Sequence, residues 1–143
     1  MHVATSKGNE SIVELMISKQ VDLMVKDDNL KQTALHIAAS SNRLKIAEAL
    51  TKAKPRLIDT PDTDGKTPLH VAAENDNASV VKYLISCGAS VGATDKNQET
   101  PLHSAAAKAG LETIQALLLA RANTAAKNRE GWLPRKRRFS ILN

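Results

Sequence analysis

Hydrophobic residues recur at helical spacing in pairs of short segments. Leu69, Ala72 and Ala73 fall at positions i, i+3 and i+4, and Val80 and Leu84 repeat this spacing one segment later. Apolar residues in this pattern predict amphipathic helices, each of only about two to three turns. Isolated helices that short are marginal in water. We therefore expect the helices to be stabilised by packing on their neighbours.

The whole pattern repeats along the chain. The segments Thr33–His36, Thr67–His70 and Thr100–His103 begin 34 and 33 residues apart. Thr is a good N-cap, and Pro, present in the second and third segments, suits the first helical position, so each segment predicts a helix start. Four columns recur at fixed distances after the histidine: Ala4, Ala38, Ala72, Ala105; Ile12, Ile46, Val80, Thr113; Met16, Leu50, Leu84, Leu117; and Leu23, Leu57, Val91, Thr124.

These residues resemble the ankyrin-repeat family, whose signature is Thr-Pro-Leu-His-x-Ala with a period of about 33 residues. The resemblance implies an all-α solenoid of helix-turn-helix units with projecting finger loops. It covers residues 1–134 in about four copies, the first truncated at its histidine and a fifth aborted. Residues 135–143 form a basic tail outside the repeat. We interpret the chain as a piece of a longer array.

The resemblance also places one finger after each copy. Their centres are Asp28–Lys31, Asp62–Gly65, Asp95–Gln98 and Asn128–Gly131. Gly65 and Gly131 occupy the turn glycine of the family, whereas Lys31 and Gln98 do not, so we expect those two turns to be distorted. The first two copies carry one extra residue before the next threonine, which a loop absorbs at little entropic cost.

The repeat breaks down after Trp132. Arg135 and Lys136 stand where a core leucine and the histidine belong, and burying unpaired charges there is prohibitive. Leu117 and Leu118 then lack an obvious neighbour. We expect Trp132 to fold over the fourth copy as a cap, the alternative being an exposed anchor for a partner, since Trp is enriched at binding hot spots.

Charge and composition exclude several classes of protein. Of the net charge of +5, four positive charges lie in Arg135–Arg138, so residues 1–134 carry only +1. A body-wide basic footprint for direct nucleic-acid binding is therefore not expected, and three aromatic residues are too few for a base-stacking platform. No apolar run approaches the roughly 18 residues of a membrane span. Arg135–Arg138 matches a short nuclear-import pattern, and Arg137–Ser140 a basophilic kinase pattern.

Catalytic and metal chemistry are not expected either. All four histidines occupy the same column of the repeat: His2, His36, His70 and His103. Stacked copies would place them roughly 10 Å apart, too far for one ion, and the family implies a structural role, bonding the Thr hydroxyl and a neighbouring backbone. The finger residues Asp62 and Asp95 fit turns better than calcium ligands. Cys87 is expected to be buried. We therefore expect no enzyme activity, no metal and no cofactor.

The family implies protein binding through the concave face and the fingers. Its variable positions give these candidate binding residues: Ser6, Lys7, Asn29, Leu30, Gln32, Ser40, Ser41, Thr63, Asp64, Lys66, Glu74, Asn75, Lys96, Asn97, Glu99, Lys108, Arg129, Glu130 and Trp132. Their mixed charge selects neither an acidic nor a basic partner.

We expect a monomeric module that binds another protein, not a small-molecule substrate, nucleic acid or a membrane. We predict a cytoplasmic location, and the alternative is a nuclear one reached by import through the basic tail. Two alternatives remain open: the recognition segment of a larger enzyme or channel, and a nuclear regulator of transcription factors. On fold analogy alone, a gankyrin-like proteasome-assembly factor is one candidate for the protein-binding module.

Overall fold

A computed structural model describes residues 1–108 and 110–134. Eight α-helices and one 3-10 helix occur in this part of the chain, and no strand does. The α-helices are α1 His2–Ser6, α2 Glu10–Ser18, α3 Ala34–Ser40, α4 Leu44–Ala53, α5 Pro68–Glu74, α6 Ala78–Ser86, α7 Pro101–Lys108 and α8 Leu111–Leu119; the 3-10 helix is Pro55–Asp59. None of the described helices is long and apolar enough to cross a membrane.

The helices form two packed rows. One row runs α1, α3, α5, α7 and the other α2, α4, α6, α8, each helix contacting the next in its row. Within each repeat the two helices pack against each other, as α3 does on α4 and α5 on α6. The predicted all-α repeat solenoid is confirmed.

The predicted helix starts are also present. Thr67 is the N-cap of α5, and its hydroxyl accepts a hydrogen bond from the His70 backbone N–H. Pro68 takes the first helical position, where a missing N–H costs nothing. Asn9 caps α2 in the same way, accepting from the N–H of Ile12.

The core follows three of the four predicted columns; in the fourth, Leu57 is buried, but Val91 is half-buried and Thr124 is exposed. Ile46, Leu50, Val80, Leu84 and Leu117 have essentially no exposed surface. The inner alanines Ala38, Ala72 and Ala105 are completely buried, so the helices of the first row approach one another closely. In the first copy, the position equivalent to Ile46 and Val80 is open to solvent, since Ile12 is 46% exposed. A repeat with a neighbour on one side only buries less of its apolar face.

The predicted cap over the fourth copy is wrong. Leu118 and Leu119 remain 44% and 86% exposed, and Trp132 itself is 37% exposed. Backbone bonds in the fourth finger hold Trp132: its N–H donates to Asn128 Oδ1 at 2.9 Å, and its carbonyl accepts from His103. Leu117 is buried without the cap, within the core formed by the helices. The expectations for residues 135–143, including Ser140, lie outside the described residues.

Truncating a core leucine tests the columns. Leu84→Ala should lower the free energy of unfolding by about 2–5 kcal/mol, because this interior side chain is fully buried and leaves a cavity. Lys96→Ala, at an exposed finger position, should change it by no more than about 0.5 kcal/mol. Urea unfolding followed by circular dichroism measures both. A loss below about 1 kcal/mol for Leu84→Ala would contradict the assignment.

Candidate protein-binding surface

A histidine joins each repeat to the next finger; His36, His70 and His103 are buried and His2 is half-buried. The Nδ1 atom of His36 accepts from the Thr33 backbone N–H at 3.1 Å, and its Nε2 donates to the Lys66 carbonyl at 2.9 Å. Because a backbone N–H can only donate, Nδ1 must be the acceptor and Nε2 the protonated nitrogen. The equivalent Nε2 bonds are His2 to Gln32, His70 to Glu99 and His103 to Trp132. The Nδ1 atoms of His36, His70 and His103 also lie 2.9–3.0 Å from the hydroxyl oxygen of the threonine three residues before. The predicted structural role is confirmed for these three histidines, and His2, which has no preceding threonine, makes the backbone bond.

Burial sets the protonation of two of these histidines. It lowers the pKa of His36 and of His70 below the usual 6.5, and the opposing effects of the bonded carbonyl and of nearby Asp62 and Asp95 do not restore it. Both side chains have no exposed surface. The neutral form is therefore the one that fits the folded chain.

An Asp or Asn at the base closes each finger. Asp62 Oδ1 accepts from the N–H groups of Asp64 and Lys66, both at 2.9 Å. Asp95 and Asn128 make the same pair of bonds, two and four residues ahead. The assignment of Asp62 and Asp95 to turn chemistry is confirmed.

The third finger, where Gln98 replaces the turn glycine, is not distorted as the sequence suggests, whereas the first finger, with Lys31, does differ from the others. Gln98 has φ 59°, close to the 78° of Gly65 and the 82° of Gly131. Its N–H donates to the Asp95 carbonyl at 3.0 Å, the same bond that Gly65 makes to Asp62. The finger hydrogen bonds hold Gln98 in the left-handed region against the preference of its side chain.

The two inserted residues have different positions. In the first finger, Asp27 Oδ1 accepts from residues three and five ahead, Leu30 and Gln32, so the extra residue lies within the turn. Lys31 adopts φ 56° there. In the second copy the finger is regular, and the 3-10 helix Pro55–Asp59 occupies the segment before it.

Neighbouring fingers are linked through their backbones. The Thr63 N–H donates to the Leu30 carbonyl at 2.7 Å, Lys96 to Asp64 at 2.9 Å and Arg129 to Asn97 at 2.8 Å. The four fingers therefore form one continuous edge whose side chains vary while its backbone contacts repeat.

A groove of about 500 Å³ lies between this edge and the first-row helices of the third and fourth repeats. The fingers contribute Lys66, Asp95, Asn97 and Glu99, α5 contributes Glu74, and α7 contributes Lys108. A second hollow of about 170 Å³ lies between the third and fourth fingers, at Asn97, Arg129 and Glu130.

The structure places all of the predicted binding residues at the surface, exposed or half-buried. Five of them line the main groove together: Lys66, Glu74, Asn97, Glu99 and Lys108. The rest, such as Ser6 and Ser40, lie elsewhere along the stack. Whether they contact a partner stays a prediction. Sequence reasoning did not predict that Asp95 lines this groove, because the position of this residue in the turn already explains why an aspartate is present.

Lys66 is held within the groove by an ion pair. Its Nζ lies 3.0 and 3.2 Å from the two carboxylate oxygens of Glu74. Burial alone would lower the pKa of Lys66, but the bond to Glu74, helped by Asp95 and Asp64, raises that pKa above its usual value. Lys66 therefore carries its charge at neutral pH.

The expectation for Cys87 is wrong. Cys87 is exposed, at the C-cap of α6, where the chain turns out of the helix towards solvent. It borders a hollow of about 110 Å³ beside Tyr83, whose hydroxyl bonds Thr51 Oγ1 at 2.6 Å. Within residues 1–108 and 110–134 no three His, Cys, Asp or Glu side chains are grouped as metal ligands.

Comparison with known families agrees with this architecture. A family model for ankyrin repeats in three copies matches residues 1–59 and 52–130. The chain belongs to the ankyrin-repeat family, whose members generally mediate protein–protein interactions. No curated protein matches the chain.

Stability should depend on pH through the buried histidines. A lowered pKa in the folded chain means that the unfolded chain binds more protons near pH 6, so the stabilisation is present above about pH 6.5 and is lost as pH falls. Urea unfolding at pH 8, 7, 6 and 5 should show a falling free energy, by at most about 1.4 kcal/mol per pH unit for each histidine. A His70→Gln variant should be less stable at pH 8 and less sensitive to pH. A flat profile for the parent chain would contradict this.

Replacing Gln98 with glycine should relieve backbone strain in the third finger. We expect Gln98→Gly to raise the free energy of unfolding by about 0.5–1 kcal/mol, because the left-handed cost of an L side chain exceeds the added entropy of glycine in the unfolded chain. Gln98→Ala, which keeps the β-carbon, serves as the matched control and should change little. Urea unfolding of the parent chain and of both variants measures these changes. A Gln98→Gly protein that is less stable than Gln98→Ala would show that the backbone at Gln98 is not strained.

Proposed function

We propose that this chain is a non-catalytic module that binds a partner protein through the groove and the finger edge. The observation that carries the proposal is the groove of about 500 Å³ in which five independently predicted residues meet. The hollow is open, is lined mainly by polar and charged groups, and lies on the face where finger side chains vary.

The surrounding scaffold suits this role. Finger backbones are fixed by the Asp and Asn bases and by bonds between fingers. A surface that is ordered before binding loses less conformational entropy when the partner arrives. The histidines, the usual acid–base groups, are engaged in the repeat contacts, which favours binding over catalysis.

One substitution pair tests the surface. Ala107 is exposed in α7 and lines the groove, and Ala53 is exposed at the end of α4, outside it. We expect affinity capture and mass spectrometry to find proteins that bind the parent chain and Ala53→Arg but not Ala107→Arg. Titration calorimetry with the captured protein should show at least tenfold weaker binding for Ala107→Arg, equal to about 1.4 kcal/mol.

Unfolding curves of both variants must match the parent to show that the loss is not a loss of fold. Capture that is equal for Ala107→Arg and Ala53→Arg would place the interface elsewhere. No specific capture by the parent chain would count against the module itself.

A further inference from the structure

The exposed face of α8 is strongly apolar. Leu111, Leu118 and Leu119 are 69%, 44% and 86% exposed, and together they expose about as much surface as two fully exposed leucine side chains. The other exposed residues of this helix are Glu112 and Gln115. Single exposed leucines are common on folded proteins, but several on one contiguous face indicate an interaction site.

Stacking of repeats does not account for Leu119. The equivalent residues are Ser18 in α2, Lys52 in α4 and Ser86 in α6, and all three are exposed. Both α4 and α6 contact a second-row helix on each side, so a neighbouring repeat does not cover this position. A leucine here therefore needs a reason other than packing between repeats.

The exposed side chains of α8 are arranged symmetrically along the helix. At 3.6 residues per turn, Gln115 lies in the middle of the face. Leu111 and Leu118 lie to one side of Gln115, one towards each end of the helix, and Glu112 and Leu119 lie to the other side in the same way. An antiparallel second copy would therefore place Leu111 of each chain opposite Leu118 of the other. Such a self-complementary surface fits a two-fold dimer.

The charges of the face are compatible with this pairing. Antiparallel helices bring the positive end of each helix dipole near the negative end of the other. Glu112 is paired with Lys82 of α6, so it brings no unpaired charge to the contact. With the two-fold axis at Gln115, the two Glu112 residues lie about 9 Å apart along the helix direction. Like charges therefore do not oppose each other across the pair.

We propose that the exposed face of α8 binds a second copy of this chain, in an antiparallel pair with its two-fold axis at Gln115. This dimer replaces the monomer expected from the sequence. It goes beyond the proposed function, because the groove lies between the fingers and the first-row helices, whereas α8 belongs to the second row. Each dimer carries two grooves, and a partner with two binding segments gains avidity from them.

Sedimentation velocity of the full chain measures the pairing. Interfaces that bury less than about 1,200 Å² are weak, and one short helix face per chain belongs to this class. We therefore expect a dissociation constant on the order of 100 μM and a single monomer–dimer equilibrium between about 10 and 500 μM. A chain that stays monomeric over this range, because α8 is covered within the chain or takes a different partner, would overturn the proposal. Species larger than a dimer would indicate head-to-tail stacking and would overturn it as well.

Two leucine variants locate the contact. Leu119→Ser introduces the residue that α2 and α6 have at this position, so the fold should be unchanged, and it should weaken the dimer at least about fivefold. Leu15→Ser makes the same change on α2, where Leu15 is 57% exposed, and it should leave the dissociation constant unchanged. Urea unfolding curves of both variants must match the parent. Equal losses in both variants, or no loss in Leu119→Ser, would refute the role of α8.

A cysteine at the axis gives a readout that does not depend on the affinity. Because Cys87 is exposed, the background is Cys87→Ser. With oxidised glutathione as the oxidant, Gln115→Cys should form an intermolecular disulfide at least about fivefold faster than Glu14→Cys, which changes the same position of α2. A disulfide needs Cα atoms within about 7 Å, which residues beside the two-fold axis can reach. Equal rates would overturn the pairing at Gln115, whereas capture of a partner by the groove would be unaffected.

Discussion

The bond from a buried histidine to the backbone of the following finger is the interaction on which the stack depends. The Lys66 carbonyl, for example, accepts both His36 Nε2 and the Asp62 N–H. One atom thus joins the helix start of one repeat, the end of a finger and the base of that finger. Since the short helices cannot persist alone, this repeated link fixes where each repeat meets the next, and apolar burial then supplies the stability.

This arrangement separates stability from recognition. The base residue of a finger bonds backbone N–H groups, and neighbouring fingers bond through backbone atoms. The side chains one and two residues past the base, such as Lys96 and Asn97, take no part in these bonds through their own polar groups. They can therefore differ between repeats without changing the backbone of the edge, which is the condition for a variable binding surface on a constant scaffold.

The repeat itself could be predicted from sequence, because its columns record which side chains meet when copies stack. Thr67, His70 and Leu84 have the roles that their positions predict. Cys87 could not be placed in this way, since its exposure depends on the direction in which the chain leaves α6. Gln98 was misjudged for a related reason: hydrogen bonds of the finger override the preference of a single residue, and no column shows their strength.

The groove was predictable in outline and not in its chemistry. The candidate residues followed from positions, but which of them meet depends on rotamers. Lys66 feels the charges of Glu74, Asp95 and Asp64, and its ammonium group pairs with Glu74.

Natural proteins tend to break a local structural rule at their functional sites while keeping it elsewhere. The bond from the end of a finger to the next base is present on both sides of Asp95 and missing at Asp95 itself. Among the described finger bases, the incompletely bonded one is therefore Asp95, which lines the groove of about 500 Å³.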